Sequence, residues 1–300
     1  MATQKQIEAT YDYMDEIYRL TYGEHADVSA AMYNGDWSKT LEEAQANKHR
    51  FILEALNFKA GQRLLDIGCG WGPILNAVHR AGGKALGLTL SPAQAAACRA
   101  HGYDARVRDC KTITVEEFGA FDAVVAMGPM EHFCSIEEYL AGKQEQIYRT
   151  FFASCATFLP AGGRMYLQTM MFGKKVPDPA TISVKAPKGS DEWVMGLVTK
   201  LYPGSWVPTG IEQILKTAAP DFKLISENNG RLDYIETMKQ WTKKVDAFSL
   251  KRSLLKLKHL GRYFTDPDFK YQVMALDHSA NQLCFDREIM SHQRMVFEKV

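Results

Sequence analysis

The stretch RLLDIGCGWGPI, residues 63–74, joins a short apolar run to three alternating glycines and a helix-like segment. RLLDI is typical of a buried strand, and Gly68, Gly70 and Gly72 are typical of a sharp turn after it. In open α/β sheets, ligands bind beyond the carboxyl ends of the strands, where a glycine-rich turn lets them approach the backbone. The stretch therefore predicts a strand–turn–helix unit that holds a nucleotide-like ligand.

The spacing of the glycines narrows the choice of ligand. The dinucleotide fingerprint is G-x-G-x-x-G with an acid about 20 residues further on. This turn instead reads G-x-G-x-G, and GLTLS, residues 87–91, contains no acid. The G-K-[ST] ending of a phosphate-binding loop is also missing. These features disfavour NAD and ATP, and Asp66, directly before the turn, suits a cationic ligand better than phosphate groups.

S-adenosylmethionine fits these features, because it carries a positive sulfonium, an ammonium and a carboxylate. An acid before a G-x-G-x-G turn after the first strand is typical of the methyltransferases that use this cofactor. Thr89, Ser91 and Gln94 offer neutral side chains for the ribose hydroxyls. Asp66 can also cap the turn, and the two roles are compatible. The sequence therefore predicts an S-adenosylmethionine site around residue 70.

Outside this unit, short apolar runs alternate with helical segments, which is typical of βαβ units and a parallel sheet. Strands are predicted at RLLDI, KALGLTL, DARVRD, FDAVVAM, GGRMYLQTM, FKLISEN and HQRMVFEK. Helices are predicted at GPILNAVHRA, at PAQAAACRAHG and in a long stretch toward Phe158. The predicted fold class is α/β, a Rossmann-like class I methyltransferase sheet with an N-terminal helical segment and an inserted lid.

Three further segments complete the predicted organisation. Residues 1–60 carry apolar positions at helical spacing and predict an N-terminal helical cap on a methyltransferase domain of residues 61–300. Residues 172–220 and 236–265 are predicted as lid or helical insertions on the substrate side. Residues 239–262 hold eight Lys or Arg against one acid, with leucines interleaved. This basic segment is either the solvated face of a packed helix or a peripheral contact with an anionic membrane.

The bulk composition argues against several classes of protein. A net charge of +1 gives no general attraction to nucleic acid. No apolar run approaches the ~20 residues of a membrane helix, and the polar N-terminus shows no secretory signal, so a cytoplasmic location is predicted. The six cysteines are scattered without a C-x-x-C pair, which predicts reduced thiols and no metal site.

Five motifs follow one another along the chain: LDIGCGWG, GLTLSPAQ, MEHF, YPGSWVPT and LDYIETMKQW. Together they resemble the cyclopropane fatty acid synthase group, which includes the mycolic acid cyclopropane synthases and uses S-adenosylmethionine. The resemblance runs from about Tyr11 to the C-terminus. It implies that the glycines shape the cofactor loop and that Thr89 and Gln94 contact the ribose. It also implies that Ser29 lies near the cofactor carboxylate and Asp109 near the adenine.

The chain departs from this group at residues that hold a bicarbonate ion in the ring-forming members. Glu131 of MEHF and Tyr234 of LDYIETMKQW match the glutamate and the tyrosine. The cysteine position holds Ala30, and the histidine position holds Gln168. Alanine offers no side-chain hydrogen bond, and glutamine cannot carry a charge. The prediction is that bicarbonate is absent or displaced, that Gln168 faces the substrate, and that the enzyme does not form cyclopropanes.

A catalytic group is predicted at Glu131, with His132 and Tyr234 assisting it. A glutamate beside a histidine, on a loop after a strand, has the position expected of a general base. His132 can equally be a structural histidine. If the acceptor is an alkene carbon, methyl attack leaves a carbocation, which aromatic faces stabilise. The aromatic residues considered for this role, or for core and lid packing, are Tyr11, Phe133, Trp193, Trp206 and Tyr234.

Three functions fit these residues. The leading one is C-methylation of an unsaturated lipid or isoprenoid-like acceptor, by methyl attack and then proton loss. The alternative is N-methylation of a small amine, because some plant alkaloid N-methyltransferases also resemble this group. The third is a non-catalytic accessory subunit that binds the cofactor. The expected partners are a small-molecule or lipid-like acceptor, and no nucleic acid.

Overall fold

The computed structural model describes residues 15–300, and a seven-stranded sheet lies at its centre. The strands are β1 Arg63–Ile67, β2 Lys84–Thr89, β3 Asp104–Val107, β4 Ala123–Met127, β5 Arg164–Phe172, β6 Phe222–Asn229 and β7 Met290–Lys299. Their order in the sheet is β3-β2-β1-β4-β5-β7-β6. The first five are parallel, and β7 runs antiparallel between β5 and β6. All seven lie where the sequence predicts them, and the predicted fold class is confirmed.

Helices connect these strands and continue past β6. They are α1 (residues 15–22), α2 Leu41–Ala55, α3 Pro73–Arg80, α4 Pro92–Ala100, α5 Val115–Phe118, α6 Ile136–Leu140, α7 Gln144–Thr157, α8 Asp191–Leu201, α9 Ile211–Ala218, α10 Arg231–Asp246, α11 Leu250–Lys258, α12 Leu260–Thr265, α13 Pro267–Asp277 and α14 Ala280–Asp286. Single turns of 3₁₀ helix at Cys110–Thr112 and Pro129–His132 follow β3 and β4. No helix within residues 15–300 is long and apolar enough to cross a bilayer.

Two apolar layers cover the sheet. On one face, Ile52 of α2 and Val78 of α3 pack in a cluster with Leu64 of β1. On the other face, Phe152 of α7 packs in a cluster with Leu65 of the same strand. Successive side chains of a strand point to opposite faces, so β1 contributes to both layers. Because both faces are covered, a ligand can reach this part of the sheet only at the ends of its strands.

The predicted helical cap of residues 1–60 differs from the observed packing. Helix α2 belongs to the core layer of the sheet, because its apolar face packs with α3. The irregular segment before it is held by a buried ion pair between Arg294 of β7 and Asp233 of α10, at 2.8 Å. Arg294 also donates to the carbonyl of Ala31, and Asp233 accepts from the backbone N–H groups of Tyr33 and Asn34. This segment is therefore tied to the main domain.

The predicted lid of residues 172–220 separates into two parts. Helix α8 packs with α13 and α14, whereas α9 packs with α7 and β6 in the helical layer of the sheet. The helical region predicted at residues 236–265 extends over residues 231–286, because Asp266 caps a further helix, α13, through the backbone N–H groups of Asp268 and Phe269. Whether α8 and α10–α14 act as a lid stays a prediction.

Candidate active site

A cavity of about 810 Å³ opens at the carboxyl ends of β1, β2 and β4. The glycine turn after β1 forms its floor, and its walls come from α1, residues 26–30, α10, α12 and α13. Open α/β sheets bind their ligands at this edge. The volume is typical of cofactor and small-molecule sites.

The glycine turn adopts a backbone conformation that other residues rarely take. Gly68, Gly70 and Gly72 have φ angles of +77°, +52° and +84°. A Cβ on Gly68 would lie 3.1 Å from Pro129, and one on Gly72 would lie 3.0 Å from Cys98 Sγ. Gly68 and Gly70 line the cavity. Gly72 is instead needed for the close packing of α3 against α4.

Asp66 is buried at the end of β1, beneath the turn. Neither carboxylate oxygen has a hydrogen-bond partner among the described residues. Burial raises the pKa of Asp66 to about 8, and the Asp27 carboxylate adds to the shift. Asp66 is not among the described residues that line the cavity. An uncompensated carboxyl group behind the wall favours a cation in front of it, so the site fits the charges of S-adenosylmethionine better than those of a phosphate.

Replacing Asp66 by asparagine should reduce the pH dependence of stability of the free protein. An acid with a raised folded pKa ionises first in the unfolded chain, so the fold loses stability as the pH rises from 3.8 toward about 8. We expect the free energy of unfolding of Asp66→Asn to rise relative to wild type across this window, by more than ~1 kcal/mol at its upper end. Urea unfolding at several pH values measures this difference, and a difference that is constant with pH would contradict the prediction.

Side chains at the ends of β2 and β3 form another wall of the cavity. Thr89 Oγ1 donates to Gln94 Oε1 at 2.6 Å and accepts from the backbone N–H of Ser91. Asp109 accepts from the backbone N–H of Lys111 at 2.9 Å. Thr89, Gln94 and Asp109 all line the cavity. The structure thus brings together the residues predicted for the ribose and the adenine.

Ser29 also lines the cavity, and a buried ionic cluster that the sequence analysis missed holds it in place. Its hydroxyl donates to Asp27 at 2.7 Å, and the fully buried Lys48 donates to both residues. His49 lies 2.7 Å from the same carboxylate. Burial opposes the ionisation of Asp27, yet Lys48 and His49 hold its pKa below the usual value. The available signal was a lysine on the apolar face of α2, since buried lysines are almost always paired.

The three residues predicted as the catalytic group lie together on the cavity wall. Glu131 is buried in the 3₁₀ turn after β4, and its Oε1 accepts from the backbone N–H of Met170 at 2.7 Å. Burial raises the pKa of Glu131 to about 8. Burial lowers the pKa of His132 to about 4. The Nδ1 of His132 is 2.7 Å from Ser205 Oγ. Tyr234 approaches from α10, where burial raises the pKa of its phenol.

Gln168 faces the cavity, but its amide is used within the protein. Its Oε1 accepts from the hydroxyl of Tyr166 at 2.9 Å, and its Nε2 donates to the carbonyl of Ala30 at 3.4 Å. Residues 30 and 168, the two positions at which this chain lacks the bicarbonate-holding side chains of the ring-forming enzymes, are therefore in contact, as the resemblance implies. Gln168 holds residue 30 against β5.

The aromatic residues of the cavity differ from those predicted. Phe133 lines the cavity as well as packing on Phe151, whereas Trp193 packs on His278 away from the cavity. Trp206 packs on Phe172 beside a second, small cavity, which shares Glu131 and His132 with the lining of the main cavity. The substrate-binding prediction is therefore corrected for Trp193 and Trp206. Their tryptophan-rich segment lies behind the wall, because α8 turns its apolar face toward α13 and α14.

Tyr11 lies outside the described residues. An aromatic wall that no sequence pattern predicts also lines the cavity, where Tyr18 packs on Trp71 at 5.6 Å and Tyr22 packs on Trp241 at 5.7 Å between ring centroids. These residues come from α1, the glycine turn and α10, so no local pattern brings them together. The wall adds aromatic rings to the lining of the cavity beside the glycine turn.

The reversed β7, the G-x-G-x-G turn and the acid before it define a class I S-adenosylmethionine-dependent methyltransferase. Residues 1–260 match the model of the family described as mycolic acid cyclopropane synthetase. The chain therefore belongs to this family, whose cofactor is S-adenosylmethionine.

Relatives with assigned names agree with this family. The chain is 27% identical over 252 residues to cyclopropane mycolic acid synthase 2 of Mycobacterium leprae, covering 80% of this chain and 79% of the relative. It is 29% identical over 245 residues to hydroxymycolate synthase MmaA4 of Mycobacterium bovis, covering 79% and 76%. Its fold resembles that of the mycolic acid cyclopropane synthase CmaA1 complexed with SAH and CTAB, with a TM-score of 0.77, 22% identity and 99% of each chain covered.

Proposed function

We propose that this methyltransferase transfers a methyl group to a carbon of an unsaturated lipid or isoprenoid-like acceptor and that the acceptor then loses a proton. The observation that supports this most is the cavity. It is walled by aromatic rings that suit an apolar, positively charged acceptor, and it contains a buried carboxyl group, Glu131. When bound, S-adenosylmethionine supplies a methyl group made electrophilic by its positively charged sulfur.

The described residues suit this reaction in three ways. Gly68, Gly70 and the wall of Thr89 and Gln94 bind the cofactor, while the aromatic wall excludes water and stabilises a positively charged acceptor. A cation in the cavity favours the ionised form of Glu131, whose carboxylate then balances the positive charge and can accept a proton. His132 and Tyr234 position the acceptor beside it.

We further propose that the product carries a methyl or methylene branch and no cyclopropane ring. The support is the loss of donors for a bicarbonate ion. Ala30 has no polar side chain, the Gln168 amide bonds within the protein, and the N–H of Met170 already donates to Glu131.

The test uses cofactor labelled in its methyl group with ¹³C and three acceptors: dioleoylphosphatidylglycerol vesicles, geranyl diphosphate and a small secondary amine. We expect label on a carbon of one of the two unsaturated acceptors. Label on the amine nitrogen instead would favour the N-methyltransferase alternative. No label on any acceptor, with intact cofactor binding, would contradict the proposal and favour an accessory role.

Removal of bicarbonate should leave the rate unchanged within about twofold. The reason is that the reaction proposed here uses a side chain as base. Turnover is measured in buffer depleted of CO₂ and again after bicarbonate is restored, with the product analysed for cyclopropane rings. A rate that recovers only with bicarbonate, or abundant ring-containing chains, would contradict the proposal.

We propose that α11 and α12 contact an anionic membrane from which a lipid acceptor enters. Large apolar side chains on these helices and in the bend before α11 are exposed to solvent: Leu257 is 65% exposed, Phe264 76% and Phe248 88%. Residues 239–262, which include these helices up to Arg262, also hold eight Lys or Arg against one acid in the sequence. Leu260 and Tyr263 of α12 also line the cavity, so this surface and the cavity are continuous. A helical surface of this composition lies flat on lipid headgroups.

Replacing Leu257 by glutamate should weaken binding to phosphatidylglycerol vesicles by about tenfold. The substitution removes apolar area that would be buried in the membrane and adds a negative charge that the anionic headgroups repel. Co-sedimentation with vesicles measures the affinity. Leu140→Glu on α6, where the side chain is also exposed, is the matched control and should bind as wild type does. Equal effects of both substitutions, or no binding by wild type, would contradict this contact.

A further inference from the structure

His292 is a buried histidine on the cavity wall, and its sequence pattern indicates only a strand. It lies in β7, opposite Met170 of β5, and its side chain lines the cavity while being 2% exposed overall. Residues opposite each other in an antiparallel pair share a face of the sheet. The ring of His292 therefore lies on the same face as the Met170 side chain, whose backbone N–H donates to Glu131.

The His292 ring is held without hydrogen bonds to its Nδ1 atom. No described residue bonds to Nδ1, and Gly230 lies directly behind it. A Cβ on Gly230 would lie 2.6 Å from this nitrogen, although the φ of −97° at Gly230 is ordinary, so the close approach of the ring explains the glycine. Tyr234 packs on the other side, with its ring centroid 5.2 Å away. Packing alone orients the imidazole in the cavity wall.

The surroundings of His292 keep its imidazole uncharged. Burial lowers its pKa well below the usual value, and the positive charges of Arg294 and Lys48 act in the same direction. Glu131 is in the opposite condition, since burial raises its pKa. A site in which environments push two titratable groups apart in this way typically assigns them different tasks in proton transfer. A neutral imidazole carries one proton, and in the tautomer that has it on Nδ1 the other nitrogen, Nε2, is free to accept a second.

We propose that His292 is a further catalytic residue, which accepts the proton that the acceptor loses after methyl transfer. This inference rests on the proposed function and divides its proton step between two groups. The carboxylate of Glu131 balances the positive charge of the acceptor. The C–H bond next to the cationic carbon breaks, its electron pair forms the new double bond, and the proton bonds to Nε2 of His292, because Gly230 backs Nδ1. The charges of Arg294 and Lys48 then favour release of this proton to water when the product leaves.

The experiment compares His292→Gln and His292→Ala with wild type, using the unsaturated acceptor probes and the labelled cofactor described above. Glutamine keeps a polar group but cannot take the proton, so kcat should fall at least about tenfold while KM stays within about threefold. Added imidazole should restore much of the rate of His292→Ala, and more basic imidazoles should restore more. His278→Ala, which alters a histidine away from the cavity, should retain the wild-type rate with and without imidazole.

The outcomes separate the two proposals. If wild type labels neither unsaturated probe, the proposed function fails and the role of His292 fails with it. If wild type labels a probe but His292→Gln keeps kcat within twofold, the role of His292 alone is overturned. Failure of imidazole to raise the rate of folded His292→Ala would also overturn it, because a purely structural loss does not respond to the basicity of an added base. Should His292→Ala not fold, His292→Gln decides.

Discussion

Replacing Glu131 by glutamine should lower kcat by about 100-fold or more and leave the dissociation constant of S-adenosylmethionine within about threefold of wild type. Glutamine has the same shape and can still accept the N–H of Met170, so the turn after β4 keeps its geometry. It cannot become a carboxylate, so nothing balances the positive charge that the acceptor gains. In the proposed function the glycine turn, Thr89 and Gln94 bind the cofactor, so its affinity should change little.

Single-turnover kinetics and calorimetric titration of the cofactor measure the two quantities for Glu131→Gln separately. Glu137→Gln is the matched control, because this glutamate is exposed on α6, six residues further on, and should behave as wild type. A similar loss in rate and in cofactor affinity would show that Glu131 shapes the cofactor site rather than acting on the acceptor. A rate within fivefold of wild type would remove Glu131 from the catalytic group.

Replacing Lys48 by methionine should lower the free energy of unfolding by about 3–5 kcal/mol. Lys48 is fully buried, and its ammonium group lies 2.8 Å from the Asp27 carboxylate. Methionine fills the space of the lysine stem but leaves that carboxylate in the interior without its main counter-charge. Chemical unfolding monitored by circular dichroism measures the loss, and cofactor affinity should fall with it because Ser29 loses its anchor.

The double variant Asp27→Asn/Lys48→Met provides the control for this prediction. Removing both charges avoids the isolated carboxylate, so the double variant should be more stable than Lys48→Met alone. If the double variant loses as much stability as the sum of the two single variants, the pair contributes no coupling. The cost would then lie in the lost hydrogen bonds to Ser29 rather than in charge.

The strands and the glycine turn could be predicted because their signals are local. Each strand is a short apolar run bounded by turn residues, and the G-x-G-x-G spacing is read within a few positions. Glu131 and Tyr234 were found through motifs, and both lie on the cavity wall. By contrast, the prediction for Trp193 and Trp206 rests only on their being aromatic residues within the predicted lid of residues 172–220. Their orientation depends on α13 and α14, which lie over 60 residues away in the sequence.

The residues missed by sequence reasoning depend on contacts between distant segments. His292 reads as one more residue of a buried strand, and only the pairing of β7 with β5 places it near Met170. Lys48 reads as an ordinary helical lysine until Asp27 is brought to it by the irregular segment before α2. A local pattern can at most mark Lys48 as a lysine on an apolar helix face. It cannot identify the partners of either residue, because the sheet order and the path of the N-terminal segment decide their neighbours.

Asp66 and Glu131 are buried carboxyl groups without a counter-charge, and they should affect how fast the protein is degraded in a cell. Each makes the empty fold less stable near neutral pH than it would be with a cation beside it. Any ligand that binds only the native chain adds stability in proportion to the logarithm of its concentration. We therefore expect proteases to clear the empty form faster than the loaded form, so that the amount of enzyme follows the supply of its methyl donor.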